Sequence, residues 1–410
     1  MNSYVISNLY FYTVLGGYLI AIALFNLLYG ESVPGTIGYV FAVPTIVFWV
    51  RSALFSKRSR RLPAFFYKYI AFGAVFFVWV LFTSIVNGIN DEQIFKKFFV
   101  YFMSFSIIPY LTGLVIASRI DELNVKWAYV VCLILIVLGV ASGIENRDLL
   151  LNGSYRITGY ANLGENDYGV ILGCYSIISC FALYCSNLNP LVRIGSILFL
   201  VIVSPILAFY SGSMGGLLSL YSVLLLIFLL SALKNTNAFI MFFLKAIGVV
   251  GLSFMLFMAV VNYGKNTAIF GGGENISKYL ARFEAIGNAD WSNIEQARSS
   301  LMSLYWGQFL ANPLIGSGFG NREGVRSDPH NFIIELLGET GLVSLLLFLV
   351  IFLPGLRKSF YILKSYGRNS VLYLIAVAFI AYSCESLFSG SIFINPLLWM
   401  LMGILPSQRV

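Results

Sequence analysis

The sequence predicts an all-α integral membrane protein with about 12 transmembrane helices. Of its 410 residues, 59% are hydrophobic and only 11% are charged, which is an apolar excess beyond that of soluble globular proteins. Apolar runs of about twenty residues, each long enough to cross a hydrocarbon core about 30 Å thick, recur along nearly the whole chain. We therefore expect a single polytopic membrane domain over 1–410.

The spans can be placed from these runs alone. In chain order they are predicted at 9–29, 35–55, 64–86, 98–117, 127–143, 168–186, 191–210, 213–232, 239–262, 331–353, 371–388 and 394–405. The first run is longer than the apolar core of a signal peptide and has no basic start. We accordingly predict a first span there and no cleavable signal.

Positive charge sets the predicted orientation. A basic cluster at 56–61 lies between the second and third spans, and a second group, from Arg357 to Arg368, lies between the tenth and eleventh. Cytoplasmic loops carry an excess of Lys and Arg, so we place both loops, and with them both termini, in the cytoplasm. The net charge of +8 is explained by this bias and does not indicate a nucleic-acid partner.

One long segment, 263–330, separates the ninth span from the tenth. It is not low in complexity, and we predict an ordered, large extracytoplasmic loop. The five cysteines lie in or beside apolar runs without CxxC or Cys/His spacing. The sequence therefore predicts neither disulfides nor a metal site.

The first polar constellation, Arg156–Gly169, lies in the outer loop before the sixth span. Arg156 could hold a phosphate or carboxylate, and the amide of Asn166 could meet a hydroxyl group. An ordinary interfacial loop whose Asn and Gly residues make turns and cap a helix explains the same pattern equally well.

The second constellation is the arginine-rich part of the long loop. Its arginines are Arg282, Arg298, Arg322 and Arg326, and only two lysines share the segment. This bias suits bidentate contact with phosphate or carboxylate, although a solvated basic face with local ion pairs is the alternative. The GSGFG sequence at 316–320 follows no buried strand, so it does not predict a dinucleotide loop.

The third constellation surrounds the only histidine, where the loop enters the tenth span. Asp328 is predicted to cap the helix, with Pro329 as its first residue, which places His330 and Asn331 in the first turn. An imidazole there can exchange protons near neutral pH, although a lone interfacial histidine is often only a structural hydrogen-bonding group. The N–H groups of the helix start favour a nearby anion such as a pyrophosphate.

Carboxylates continue this helix into the predicted membrane segment. Glu335 and Glu339 follow Asn331 at four-residue steps and should share one helix face. Carboxylates inside a membrane segment are costly and are usually functional or paired. Glu385, in the eleventh predicted span, is explained as well by pairing with an arginine or a hydroxyl group.

Together the constellations resemble motifs of the bacterial O-antigen ligase and O-antigen polymerase superfamily. An Arg-x-x-Gly loop with following asparagines is matched by Arg156, Gly159, Asn162 and Asn166. An arginine before a Pro-Leu-x-Gly-x-Gly turn is matched by Arg298, Pro313, Leu314, Gly316 and Gly318. A His-Asn pair leading into Glu-x-Gly is matched by His330, Asn331, Glu339 and Gly341.

This resemblance implies a GT-C-like helical bundle that works as a glycosyltransferase at the periplasmic face of the bacterial inner membrane. The implied donor is an undecaprenyl-pyrophosphate-linked oligosaccharide, with no metal or other cofactor, and a chain-length regulator is a candidate partner beside the membrane lipid. His330 and Arg298 are the implied catalytic residues. The implied substrate-binding residues are Arg156, Arg282, Asn331, Arg322, Arg326, Glu339 and Asn166.

Three functions remain open at this point. Met214 stands where ligases are expected to carry the arginine of a Ser-Arg-Gly turn, which favours an O-antigen polymerase over an O-antigen ligase. A transporter or glycan-lipid flippase also fits a dozen spans. A carrier, however, should place its site near mid-membrane in two repeated halves, whereas the polar clusters here lie on one predicted side.

Overall fold

A computed structural model describes residues 64–87, 98–117, 292–319, 331–365, 371–388 and 391–407, with a few single residues elsewhere. Every regular element in these ranges is helical, which confirms the predicted all-α class for this part of the chain. Apart from single residues, the predicted spans 9–29, 35–55, 127–143, 168–186, 191–210, 213–232 and 239–262 lie outside the described residues. The total of about twelve spans therefore stays a prediction.

The described α-helices are numbered here in chain order. They are α1 (Ala64–Val86), α2 (Ile108–Ala117), α3 (Ser292–Ala311), α4 (Phe332–Ser365), α5 (Val371–Phe388) and α6 (Pro396–Ile404). A π-helical stretch, Phe98–Ile107, leads directly into α2. Short 3-10 turns, Ile392–Ile394 and Leu405–Ser407, flank α6.

Helix bounds follow the predicted spans closely except in α4. Helices α1 and α5 have the predicted limits, whereas α4 runs twelve residues past the predicted end at 353, through Pro354 to Ser365. A proline inside a membrane helix is tolerated because neighbouring groups satisfy the freed backbone. Two helical segments, Tyr67–Val86 and Phe332–Ser365, are long and apolar enough to cross a membrane.

Helix α4 carries an exposed apolar stripe on its long second part. Leu342, Leu346, Val350 and Leu353 recur at steps of three or four residues and are all exposed, so they share one helix face. We call these four residues the α4 stripe. An apolar face turned outward on a helix of this length is the face expected to meet lipid.

The centre of the described bundle is an aromatic cluster around Trp399 of α6. Its indole is fully buried, and the rings of Phe76, Phe77, Tyr110 and Phe348 surround it with centroids 5.5–6.1 Å away. Its N–H donates to the carbonyl of Ile392 at 2.7 Å. The only polar atom of this large side chain is therefore satisfied inside the core.

Helices α2 and α6 approach each other through glycines. A Cβ atom on Gly113 would overlap the carbonyl of Met400, and one on Gly403 would overlap the carbonyl of Tyr110. Small residues allow helix backbones to pack closely in membrane proteins, where van der Waals contact drives association. This pair makes the most extensive helix contact in the described part of the chain.

Candidate functional site

The structure describes only part of the predicted site. Arg156, Asn166, Arg282, Arg322, Arg326 and His330 lie outside the described residues. Arg298 is described through its backbone as part of α3. Asn331 and Glu339 are described fully, and they locate the end of α4 where the histidine motif stands.

Helix α4 begins later than predicted. Pro329 is not helical, and α4 starts at Phe332 with Asn331 as its cap. The Asn331 side-chain oxygen accepts from the N–H groups of Ile333 at 3.0 Å and Ile334 at 3.2 Å. The cap predicted at Asp328 is therefore wrong, because Asn331 satisfies these donors itself. Two of the N–H groups expected to attract an anion are already engaged.

Helix α4 is broken at Gly341, where φ is 77° and ψ is −179°. The break releases carbonyls of the preceding turn from the helical pattern. Those of Gly338 and Glu339 accept from the backbone N–H groups of Ser317 at 2.9 Å and Gly318 at 2.7 Å. In return, the N–H of Leu342 donates to the carbonyl of Pro313 at 2.9 Å. The Pro-Leu-x-Gly-x-Gly turn and the Glu-x-Gly motif therefore interlock through their backbones.

Glycine is required on both sides of this junction. At Gly316, which has φ 64°, a Cβ atom would lie 2.5 Å from the carbonyl carbon of Glu339. At Gly341 it would overlap the carbonyl of Leu314. Both positions combine a left-handed conformation with backbone contact, which only glycine accommodates without strain.

A third donor reaches the break from α1. The indole N–H of Trp79 donates to the carbonyl of Thr340 at 3.2 Å, across 261 residues of sequence. Backbone groups inside a membrane domain must be satisfied within the protein. The break in α4 is therefore supported by both the turn after α3 and α1.

Glu339 lies inside the junction between α3 and α4. Its side chain is fully buried, and Oε1 accepts from the hydroxyl of Tyr305 on α3 at 3.4 Å. Gly338 lies against the same tyrosine, since a Cβ atom there would stand 2.8 Å from the Tyr305 ring and carbonyl. This carboxylate stands between two helices, which suits a structural role better than contact with a substrate.

Glu335, one turn earlier, is held by a different segment. It is fully buried, and Oε1 accepts from the hydroxyl of Ser391 while Oε2 accepts from the N–H of Ile392 at 2.9 Å. Both carboxylate oxygens therefore bind the short segment between α5 and α6. Glu335 and Glu339 are both buried, as expected for residues on one helix face. Glu335 binds the segment between α5 and α6, whereas Glu339 binds Tyr305 of α3.

Glu385 belongs to a small polar group beside this segment. Its Oε2 accepts from Ser386 at 3.3 Å and from the amide of Asn395 at 3.4 Å. Asn395 also caps α6, because its Oδ1 accepts from the N–H of Leu398 at 3.1 Å. Glu385 was predicted to pair with an arginine or a hydroxyl group, and the structure shows a hydrogen bond from the hydroxyl of Ser386.

Helices α3 and α4 run side by side in the same order. Tyr305 stands opposite Gly338, and Pro313, just past the end of α3, stands opposite Leu342, further along α4. Arg298 precedes Tyr305 by about two helical turns, and Asn331 precedes Gly338 by a similar length. Both residues therefore lie on the same side of the junction.

Sequence reasoning missed the partners of the buried carboxylates. Tyr305 lies within the predicted loop but carries no spacing signal toward Glu339, and Ser391 is 56 residues away from Glu335. The only available signal was the cost of burying a carboxylate, which requires a partner somewhere. Spacing along the chain could not identify that partner.

Comparison with known proteins gives one match. Residues 175–349 match the model of a family described as O-antigen ligase. The matched range includes α3, the turn after it, the His-Asn pair and the break in α4, and it confirms the predicted resemblance to the O-antigen polymerase and ligase superfamily. Together with the apolar helices it indicates a membrane protein. No curated protein and no solved structure matches the chain.

Proposed function

We propose, on the premise that residues 175–349 match the O-antigen ligase family, that the protein is an O-antigen polymerase. It joins undecaprenyl-pyrophosphate-linked repeat units at the periplasmic face of the bacterial inner membrane. Members of this family are membrane enzymes of the glycosyltransferase or ligase type. The lipid-linked donor, the periplasmic location of the reaction and the choice of a polymerase over a ligase are our proposals and go beyond the family match.

The observation that carries this proposal is the junction between the turn after α3 and the break in α4. It fixes the helix that carries Arg298 against the helix whose cap, Asn331, directly follows His330. The turn that follows the Arg298 helix and the Glu-x-Gly motif that follows the His-Asn pair are therefore in contact, and this supports our proposal that Arg298 and His330 serve one site. An arginine for a leaving pyrophosphate and an imidazole for an acceptor hydroxyl are the groups that glycan transfer from a lipid pyrophosphate needs together.

In the proposed step an acceptor hydroxyl attacks the anomeric carbon of the donor glycan. The new glycosidic bond forms as the bond from that carbon to the pyrophosphate oxygen breaks. His330 orients the acceptor hydroxyl and accepts its proton, and undecaprenyl pyrophosphate leaves with the bonding electron pair. Arg298 stabilises the negative charge that develops on the leaving group.

The remaining predicted residues bind substrate in this scheme. Arg282 and Arg156 assist with the pyrophosphate, and the other binding positions are Arg322, Arg326, Asn331 and Asn166. Glu339 does not contact the substrate in this scheme. It is buried against Tyr305, beside the backbone hydrogen bonds that join the turn after α3 to α4. Its role is to position the helix pair, because a carboxylate at the leaving group would repel the pyrophosphate.

A ligase is the second candidate, and one observation favours it. The matching family is described by ligase activity. A ligase transfers finished glycan from undecaprenyl pyrophosphate to the lipid A core, and the same groups serve that reaction. The two candidates differ in acceptor, so the product separates them.

The test is gel analysis of surface glycan in cells that lack the gene and carry either the wild-type chain or His330→Ala. If the protein is a polymerase, the empty strain carries lipid A core with a single repeat unit, and only the wild-type chain restores the ladder. Arg298→Ala should behave like His330→Ala. Lys364→Ala, an exposed position at the far end of α4, is the matched control and should restore the full ladder.

Three other gel results would contradict the proposal. Bare core, with long glycan left on undecaprenyl pyrophosphate, would identify a ligase. An unchanged ladder in the empty strain would refute both enzymes. A full ladder from His330→Ala, present in the membrane at wild-type level, would remove the histidine from the reaction.

A further inference from the structure

One edge of α3 exposes large apolar side chains. Trp306 is 44% exposed, Leu310 is 60% exposed, and Leu314, just past the end of the helix, is 63% exposed. Trp306 and Leu310 are four residues apart on α3 and so lie on one face of the helix, and Leu314 lies in the turn just beyond it. We call these three residues the α3 edge. Contiguous apolar surface of this kind is unfavourable in water and usually marks a contact.

The α3 edge is adjacent to the α4 stripe. The backbone of Leu314 lies against Gly341, and the adjacent Pro313 accepts from the N–H of Leu342 at 2.9 Å. Leu342 is the first residue of the α4 stripe and is itself exposed. The α3 edge therefore lies beside the start of the α4 stripe, with the exposed Asn312 between Leu310 and Leu314 in the chain.

The length of α4 places this junction relative to a bilayer. Between Glu339 and Arg357 the helix carries no charged residue, and Arg357 is exposed. From Arg357 back to Leu342, the first residue after the break at Gly341, is fifteen residues, or about 22 Å of helix, which is within the roughly 30 Å thickness of a hydrocarbon core.

With Arg357 taken as one limit of the hydrocarbon core, the break lies inside the core, and the residues of the α3 edge lie at or beyond the level of the break. Trp306 follows Tyr305, which contacts Gly338, so the indole lies about where the hydrocarbon ends. Tryptophan is enriched at that level because one part of its ring system is apolar and its N–H is polar. Leu314, beside Leu342, lies deeper.

We propose that the α3 edge is a lipid-contacting surface. Acyl chains of one leaflet cover Leu310 and Leu314, and Trp306 lies at the membrane interface. This differs from the expectation that 263–330 forms a loop surrounded by water. The inference rests on burial and depth alone, so it holds or fails independently of the proposed glycan chemistry.

The test uses a nitroxide spin label on the full-length protein in vesicles of phosphatidylcholine and phosphatidylglycerol. The five native cysteines are replaced by alanine, and single labels are placed through Leu310→Cys and Leu314→Cys. Leu346→Cys on the α4 stripe is the lipid reference, and Lys364→Cys is the water reference. The measurement is the relaxation of the label by molecular oxygen, which concentrates in lipid, against relaxation by a water-soluble nickel complex.

We expect both α3 labels to show the oxygen preference of the Leu346 reference, with Leu314→Cys more strongly so. Relaxation by nickel at the level of the Lys364 reference would overturn the proposal, because the edge would then face water. Shielding from both agents would also overturn it, since another segment or a second copy of the chain would then cover the edge.

A second measurement keeps the native cysteines. Tryptophan fluorescence is recorded in vesicles whose lipids carry bromine either near the headgroup end or near the terminal methyl of the acyl chain. The contribution of Trp306 is the difference between the wild-type chain and Trp306→Phe. We expect that difference to be lost with the shallow bromine and largely kept with the deep one. A difference that neither lipid quenches would contradict interfacial contact.

Discussion

Helix α4 is fixed at two places by different means. At its break, backbone groups of the turn after α3 bond backbone groups of α4, and glycines allow the approach. One turn after its start, the carboxylate of Glu335 bonds the segment between α5 and α6 through both oxygens. The first junction depends on the absence of side chains, and the second depends on one particular side chain.

The two junctions should therefore respond to substitution in opposite ways. Added volume should disrupt the break, whatever its chemistry, because backbone atoms there cannot move aside. Lost chemistry should disrupt the Glu335 junction, even at constant volume, because buried donors are left without an acceptor. The predictions below test this contrast.

The largest effect is expected from Gly341→Ala. The new methyl group overlaps the Leu314 carbonyl and the residue keeps a left-handed conformation, so we expect a loss of about 4 kcal/mol or more in unfolding free energy. The measurement is thermal unfolding of the purified protein in detergent.

Gly307→Ala is the matched control for that substitution. A Cβ atom there meets nothing within 4 Å, and the residue is helical. Replacing glycine by alanine in a helix should raise stability by about 1 kcal/mol. If both variants shifted the unfolding midpoint equally, close packing at the break would not be the cause.

Glu335→Ala should have the next largest effect. It leaves the Ser391 hydroxyl and the Ile392 N–H without their carboxylate acceptor, at a cost of about 3 kcal/mol. Glu335→Gln keeps one oxygen and nearly the same volume, so it should cost clearly less. A double-mutant cycle with Ser391→Ala measures the coupling, and additive losses would show that the two side chains act independently.

Trp79→Phe should have a moderate effect. It removes the donor to the Thr340 carbonyl while keeping an aromatic ring, and we expect a loss of about 1 kcal/mol. Combining it with Gly341→Ala sharpens the comparison, because the bond has no further value once the break is lost. The combined loss should then equal that of Gly341→Ala alone.

Tyr305→Phe should have the smallest effect on stability. Its hydrogen bond to Glu339 is 3.4 Å long, so removal should cost about 0.5 kcal/mol. If Glu339 positions the site as proposed, the variant should also lower the yield of polymer in the complementation assay. An unchanged polymer ladder would show that the hydroxyl of Tyr305 contributes to stability and not to activity.

Sequence patterns predicted the parts of the fold that depend on local composition. The limits of α1 and α5 match the predicted spans, because hydropathy within a segment decides them. The end of α4 was missed because Pro354 normally ends a helix in water and does not in this one. The start was missed because Asp328 before Pro329 was predicted as the cap, whereas the side chain of Asn331 accepts from the first N–H groups of the helix.

The site was predicted as a set of motifs but not as an arrangement. The glycines of the turn and of Glu-x-Gly were recognised as motif positions in the resemblance to a family. That they face each other follows from hydrogen bonds between residues more than twenty positions apart, such as Ser317 and Gly338. Contacts of that kind depend on how the helices pack, and no periodicity within either segment records them.

The glycine contact between α2 and α6 has a consequence for biosynthesis. Gly113 and Gly403 are 290 residues apart in the sequence. Their helices nevertheless make the most extensive helix contact in the described bundle. Helix α2 is therefore synthesised long before α6, and the contact at Gly113 cannot form until α6 has been made. A chain truncated before α6 lacks both Trp399 and Gly403, and it therefore cannot form the centre of the described bundle however well its earlier helices insert.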